Sequence, residues 1–274
     1  MTQALRIEPG SLAAMVMAGG VNTIPLYEGY RPGYKALVEI GGRPVIQYPL
    51  AALRRSRYAG EICVIGSQDH LSDAVADPTI VFVPPGETLL GSIVAGLHRL
   101  RHHPLVLATT ADLPLITAEI LDGFIDACTA APVARDVNIF VSVVSKRAFT
   151  GAYARVEKIM AHFRDGIYCH GNAMLVQPAM LDNAAAMAHI NAVYAGRKGV
   201  LRSALALGAR VGLAFVVGVH LLHLLTMAQM AAIVSQRFHI GIVPVPVPHP
   251  ELSLDMDEPA DYRLLTEILT QAVS

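Results

Sequence analysis

Several short stretches carry side chains that could act together on a phosphate. The apolar run Leu12 to Met17 breaks at Ala18-Gly19-Gly20, and the chain then crosses a loop to Lys35. An apolar run ending at paired glycines reads as a buried strand opening into a tight turn. Glycine permits positive φ and lets backbone N–H groups approach a ligand with no Cβ in the way. A lysine at the far end of the loop can supply the charge a phosphate needs. Asp112 follows a second apolar run, Leu105 to Thr110. A carboxylate at such a strand end, beside a glycine loop and a lysine, is suited to holding Mg²⁺ against phosphates. The plainer role, capping the next helix, fits Thr117 better. Asp255 and Asp257 stand two apart, so on an extended segment both point toward one cation; Asp257 ahead of Pro259 also fits a helix cap. Ser92, after Pro84-Pro85-Gly86, could meet a base or ribose, or merely solvate its helix. Asn172, after Gly171, could orient a sugar hydroxyl or a metal-bound water, although asparagine is more often a turn residue.

The elements needed to position these groups alternate. Strands are expected at 12–17, 38–40, 61–66, 80–83 and 105–110. Helices are expected at 44–57 (with Pro49 as a potential kink), 88–100 and 117–128. Strand–helix alternation predicts a mostly parallel sheet covered by helices on both faces. Ligands in such sheets bind beyond the carboxyl ends of the strands, where Gly19-Gly20, Gly66, Gly86 and Asp112 all fall. The second half has strands at 138–144 and 168–176, a looser region at 149–164 and an Ala/Met/Leu-rich helical stretch at about 179–235. A proline-interrupted edge strand at 240–247 and a closing helix follow. There is no internal repeat.

Composition narrows the class. Of the 274 residues 53% are hydrophobic and 16% charged, which implies a large core and a sparsely charged surface, with some faces buried in a homo-oligomer or on a membrane. A net charge of −1 gives no basis for bulk binding of nucleic acid. Cys63, Cys128 and Cys169 are odd in number and widely spaced, as expected of reduced thiols. The 11 histidines show no spacing typical of a metal motif, and His170, His220 and His223 read as structural. The first residues lack a signal-peptide pattern, so a cytoplasmic protein is expected. Val211 to Leu225 is the most apolar stretch, but its 15 residues fall short of the roughly 20 that span a bilayer.

Ala18-Gly19-Gly20 with Lys35-Ala36-Leu37, followed by Gly41-Gly42-Arg43-Pro44-Val45-Ile46, resembles the signature of the GT-A-type nucleotidyltransferases. The resemblance is to the branch of the molybdenum-cofactor guanylyl- and cytidylyltransferases, the MobA-like NTP transferases. Thr110 to Ile116 is similar to that family's strand-end metal aspartate, Gly86 to Leu97 to its base-holding segment, and Asp255 to Tyr262 to its closing acidic motif. The resemblance implies one domain over residues 1–274, a three-layer α/β/α Rossmann-like sheet with an added helical segment at 179–235. It implies an NTP, CTP or GTP, held by Ala18, Gly19, Gly20, Asn22, Lys35, Gly86, Ser92 and Asp112. It further implies Mg²⁺ on Asp112 and Asp257, and a phosphorylated acceptor near Asn172 that displaces pyrophosphate with help from Lys35. The loop Val21 to Tyr34 departs from the family pattern: it is longer, and the usual arginine is missing from its place, leaving Arg31 as a substitute. A non-catalytic nucleotide or nucleotide-sugar binding protein, or a membrane-peripheral transferase with an apolar acceptor, are the competing expectations.

Overall fold

The computed structural model describes residues 5–132, 137–196 and 208–273. Its centre is the strand β1 (Leu12–Met17), apolar along its whole length because helices cover both of its faces. The remaining strands of the sheet are β2 (Ala59–Ile65), β3 (Val81–Val83), β4 (Val106–Thr110), β5 (Val137–Ser145), β6 (Ala161–Phe163), β7 (Gly166–Val176) and β8 (Gly241–Val247). Their order is β8-β5-β7-β4-β1-β2-β3, with β6 paired to β7. The pairs β1–β2, β1–β4, β2–β3 and β5–β8 are parallel, while β7 runs antiparallel to β4, β5 and β6. The sheet is thus mostly parallel, with one reversed strand beside the site.

The period-two alternation of β1 splits the core. Ala14 and Val16 face one cluster with Leu50 and Leu53 of α1 (Gln47–Arg55), Leu71 of α2 (Gln68–Val75) and Phe124 of α4 (Ala118–Ala130). Ala13 and Met15 face the other, with Leu97 of α3 (Leu89–Arg99), Ala186 of α5 (Ala184–Gly196) and Phe238 of α7 (Met227–Phe238). This is the expected three-layer arrangement. Between α5 and α7 lies α6 (Ala209–Leu213), which continues as a π-helix over Ala214–Leu221; α8 (Pro259–Val273) closes the chain.

Local expectations hold with specific exceptions. Pro44 does not open a helix. It sits in a two-residue strand opposite Glu39, and α1 begins three residues later. Pro49 is the third residue of α1, in the turn whose N–H groups have no helical partner, so the expected kink is not required. Helix α2 was not legible, because its polar start, Gln68-Asp69-His70, hides the short apolar face of Leu71, Ala74 and Val75. The helical reading of 179–235 holds for α5, α6 and α7, whereas 197–207 lies outside the described residues. In the apolar stretch after Arg210, Leu213 is 65% exposed and Leu221 69%. Among the described residues no helix is long and apolar enough to cross a membrane. Pro244 and Pro246 lie in β8, which among the described residues pairs only with β5 and is an edge, as expected.

Candidate active site

Beyond the carboxyl ends of β1 and β4, a cleft of about 480 Å³ is lined by Gly19, Gly20, Lys35, Gly86, Ser92 and Asp112, among others. The glycine turn is set by packing, since neither Gly19 nor Gly20 takes a positive φ. A Cβ on Gly19 would lie 2.8 Å from Pro85 Cβ, so only glycine lets the turn meet the Pro-Pro-Gly loop. Gly20 has open space around the corresponding position, and its carbonyl accepts the Lys35 N–H at 2.9 Å. The turn and its lysine, 15 positions apart, are therefore tied by the backbone itself.

The long Val21–Tyr34 loop is built structure. Val21 and Asn22 pair with Tyr34 and Gly33. Leu26 is 1% exposed, packed in a small core with Val38, Ile40, Tyr48, Leu254, Met256 and Leu265. Tyr27 meets Tyr30 edge to face and Tyr262 of α8 at a tilt, with ring centroids 5.4 and 4.9 Å apart. The insertion thus clamps the segment that carries Asp255 and Asp257 against the lysine loop.

Lys35 Nζ is the hub, ion-paired with Asp112 Oδ2 and Asp257 Oδ1. Burial alone would lower its pKa, but the charges and hydrogen bonds of Asp112 and Asp257 outweigh that and hold the ammonium above the ordinary lysine range. Lys158 Nζ contacts Asp255 Oδ1 at 2.7 Å. Oxygens of Asp112, Asp255 and Asp257 lie within 4.8 Å of one another. Asp112 is 8% exposed, and its Oδ1 has no hydrogen-bond partner. A buried carboxylate oxygen left bare, next to two further carboxylates, fits a hard divalent cation such as Mg²⁺. The cap reading of Asp257 does not describe the structure: the Asp261 carboxylate accepts the N–H groups of Asp257 and Glu258, which leaves Asp257 for Lys35.

The other anticipated residues divide. Ala18 and Gly86 line the cleft. Ser92 lines it too, but its hydroxyl accepts the Gly86 N–H at 3.0 Å, so it shapes the loop rather than facing a ligand. Thr88, not singled out in the sequence, caps α3 by accepting the Gly91 N–H at 3.0 Å and lines the cleft. Asn22 stands outside the lining; its Oδ1 accepts the Ile24 N–H at 2.9 Å in a local turn. Arg31 is exposed and also outside the lining.

Asn172 sits on a bulge of β7, where the register against β5 shifts between His170 and Met174. Buried Ser142 holds that bulge, donating to the Ala173 carbonyl at 2.7 Å and accepting its N–H at 3.2 Å. A Cβ on Gly171 would lie 2.3 Å from Ser142 Oγ, which is why this position is glycine. Ala173 is opposite Thr109, so Asn172 stands beside the carboxyl end of β4, outside the cleft's lining. Asn172 Nδ2, Thr109 Oγ1 and Thr110 Oγ1 have no protein partner. Lys158 was missed in the sequence because it lies in no motif, and only its contact with Asp255 brings it here; Thr110 opens the Asp112 motif but was not singled out as a site residue.

The buried cysteines have no part in the site. Burial raises the thiol of Cys63 to about 12 and pushes those of Cys128 and Cys169 upward as well. A larger apolar cavity of about 690 Å³ lies at the β8 edge, away from the charged cluster.

A strand-end cleft with a glycine turn, a lysine and converging aspartates, on a mostly parallel three-layer sheet, defines a nucleotidyltransferase of GT-A-like fold. The chain belongs to the family of the MobA-like NTP transferase domain, whose model matches residues 14–211. Among solved structures, a hypothetical transferase from Thermus thermophilus is similar at TM-score 0.73 and 25% identity, covering 92% of this chain and 99% of that one. The 4-diphosphocytidyl-2C-methyl-D-erythritol synthase of Anaerococcus prevotii shares the fold at TM-score 0.56 and 15% identity, over 94% of this chain and 96% of its own. CMP:2-keto-3-deoxy-manno-octonic acid synthetase, solved with CTP, does so at TM-score 0.56 and 13% identity, over 96% of this chain and 100% of its own. No match was found among curated protein sequences.

Proposed function

We propose that this nucleotidyltransferase moves a nucleoside monophosphate from an NTP to a phosphorylated small molecule in a Mg²⁺-dependent reaction that releases pyrophosphate. The observation that carries the reading is the Lys35 ammonium set between Asp112 and Asp257 at the mouth of the glycine cleft, with Asp112 Oδ1 bare behind it. The triphosphate would lie along the Gly19-Gly20 turn, with its base toward the Gly86–Ser92 loop. Asp112, Asp257 and Asp255 would hold Mg²⁺, which when bound would neutralise phosphate charge.

An acceptor phosphate oxygen attacks the α-phosphorus, the α–β bridging bond breaks, and its electron pair leaves with pyrophosphate. Lys35 offsets the negative charge that develops on the phosphates. No side chain forms a bond to phosphorus, so the protein's contribution is positioning and electrostatics. Asn172 and Thr110, whose side chains lack a partner among the described residues, would receive the acceptor beside the end of β4, and Lys158, paired with Asp255, would offer a cation for its phosphate. A CTP preference draws support from proteins of the same fold, one solved with CTP and others named for cytidylyl transfer.

The test is a pyrophosphate-release screen of the four common NTPs against phosphorylated sugars, alditols and cofactor precursors with Mg²⁺. Turnover in the wild type that is lost in Asp112→Ala supports the reading. Calorimetric NTP binding with no turnover in any pair would instead make this a nucleotide-binding protein.

A further inference from the structure

A second group of metal-type donors stands near the amino ends of the central strands. Glu61 is the third residue of β2, and His102 and His103 lie in the turn between α3 and β4. Both imidazoles converge on a single carboxylate oxygen: Nε2 of His103 is 2.9 Å and Nε2 of His102 3.2 Å from Glu61 Oε2. The two rings are 4.2 Å apart between centroids. Adjacent side chains in an extended chain point apart, so their convergence is a product of this turn. The other oxygen, Glu61 Oε1, is held by Arg99 Nη2 at 2.9 Å, which fixes the carboxylate with Oε2 facing the histidines.

We propose that Glu61, His102 and His103 bind a transition-metal dication of the Zn²⁺ class, a site separate in place and in chemistry from the aspartate cluster. Donors each about 2.0–2.1 Å from a tetrahedral zinc stand about 3.3 Å apart. The two Glu61–His separations are already close to that edge length, and all three donor atoms lie within 4.8 Å of one another. Closing the last edge falls to His102, whose side chain is 59% exposed and free to change rotamer. Two imidazoles and one carboxylate suit Zn²⁺, Ni²⁺ or Co²⁺ and not Mg²⁺, which prefers an octahedron of oxygens. Arg99 plays the part usual for groups behind a metal ligand, orienting the carboxylate. The donors come from two segments 41 and 42 positions apart, so the metal would clip the start of β2 to the α3–β4 turn.

The experiment titrates Zn²⁺ into the full-length protein by calorimetry in millimolar Mg²⁺, with Co²⁺ and its visible absorption as a second probe. Expected are one equivalent of Zn²⁺ at micromolar affinity and an intense visible band for bound Co²⁺. Asp112→Asn should keep both signals. His103→Gln and Glu61→Gln should each weaken Zn²⁺ at least tenfold and abolish the Co²⁺ band, with far-UV circular dichroism unchanged. No saturable uptake by the wild type would leave only His–Glu hydrogen bonds and overturn the proposal. Equal affinity in His103→Gln would overturn it too, as would loss of the site in Asp112→Asn.

Discussion

The two charged clusters at opposite ends of the central strands are built on different terms. At the carboxyl end, Asp112, Asp255 and Asp257 face Lys35 and Lys158, so the acids are in excess, and a buried carboxylate oxygen has no partner. At the amino end, both Glu61 oxygens are engaged, one by Arg99 and one by the two histidines. The first cluster carries unspent negative charge and hard oxygen donors; the second is electrically balanced and offers nitrogen. That difference underlies the proposed phosphate and Mg²⁺ chemistry at one pole and the proposed softer-metal site at the other. It also explains why the strand topology matters: in parallel β/α units only the carboxyl-end loops converge beyond the strands with backbone N–H groups facing outward.

Asp112→Ala should break the comparison most severely. Turnover with the NTP and acceptor pair found by screening should fall about 10³-fold or more by initial rates, because the proposed metal ligand and the Lys35 partner vanish together. Lys35→Met should lower turnover about 10²-fold while retaining measurable NTP binding by calorimetry.

The Lys35 substitution also has a pH signature. Its folded pKa is raised, so the stability it contributes is fully present below the unfolded value of about 10.4 and is lost as pH climbs through the folded one. The difference in thermal midpoint between wild type and Lys35→Met should therefore hold at neutral pH and shrink above about pH 10.4. A difference that instead grew with alkaline pH would show that the ammonium is not stabilised by its carboxylates.

Leu26→Ala tests whether the long loop is a scaffold for the acidic segment. Removing a side chain that is 1% exposed should cost about 2–5 kcal/mol in denaturant melts. It should reduce turnover more than NTP binding, since Asp257 loses its support. Gly171→Ala should have a smaller effect, about 1–3 kcal/mol, through its clash with Ser142. If the bulge sets Asn172 for the acceptor, it should raise KM for the acceptor and leave that for the NTP unchanged. His103→Gln is expected to leave turnover at the wild-type level, which keeps the poles separable.

Much of the scaffold could be read from residue order alone. The apolar runs ending at glycine located β1 and β2, the run ending at Asp112 located β4, and the hydroxyl of Thr117 marked the start of α4. Asp112 was singled out because it stands where an apolar strand stops at a charge its interior would reject, Lys35 because it closes the glycine loop, and Asp257 because it stands two residues from Asp255. The π-helical Ala214–Leu221 segment and helix α2 carry no comparably clear local signal.

The sequence by itself determined the strand–helix alternation, the buried strands and the polar residues placed at their ends, since these follow from local hydrophobic period and turn chemistry. Only the tertiary structure decided which of those residues meet. Lys35 lies 222 positions from Asp257, and Lys158 is 97 from Asp255. No local pattern encodes such pairings; they arise when the Leu26 core docks the 21–34 loop onto α8. The same holds for Asn172, set beside β4 on a bulge held from Ser142, and for His102 and His103, brought to Glu61 by the pairing of β1 with both β2 and β4. Burial drives these contacts, and burial belongs to the whole fold.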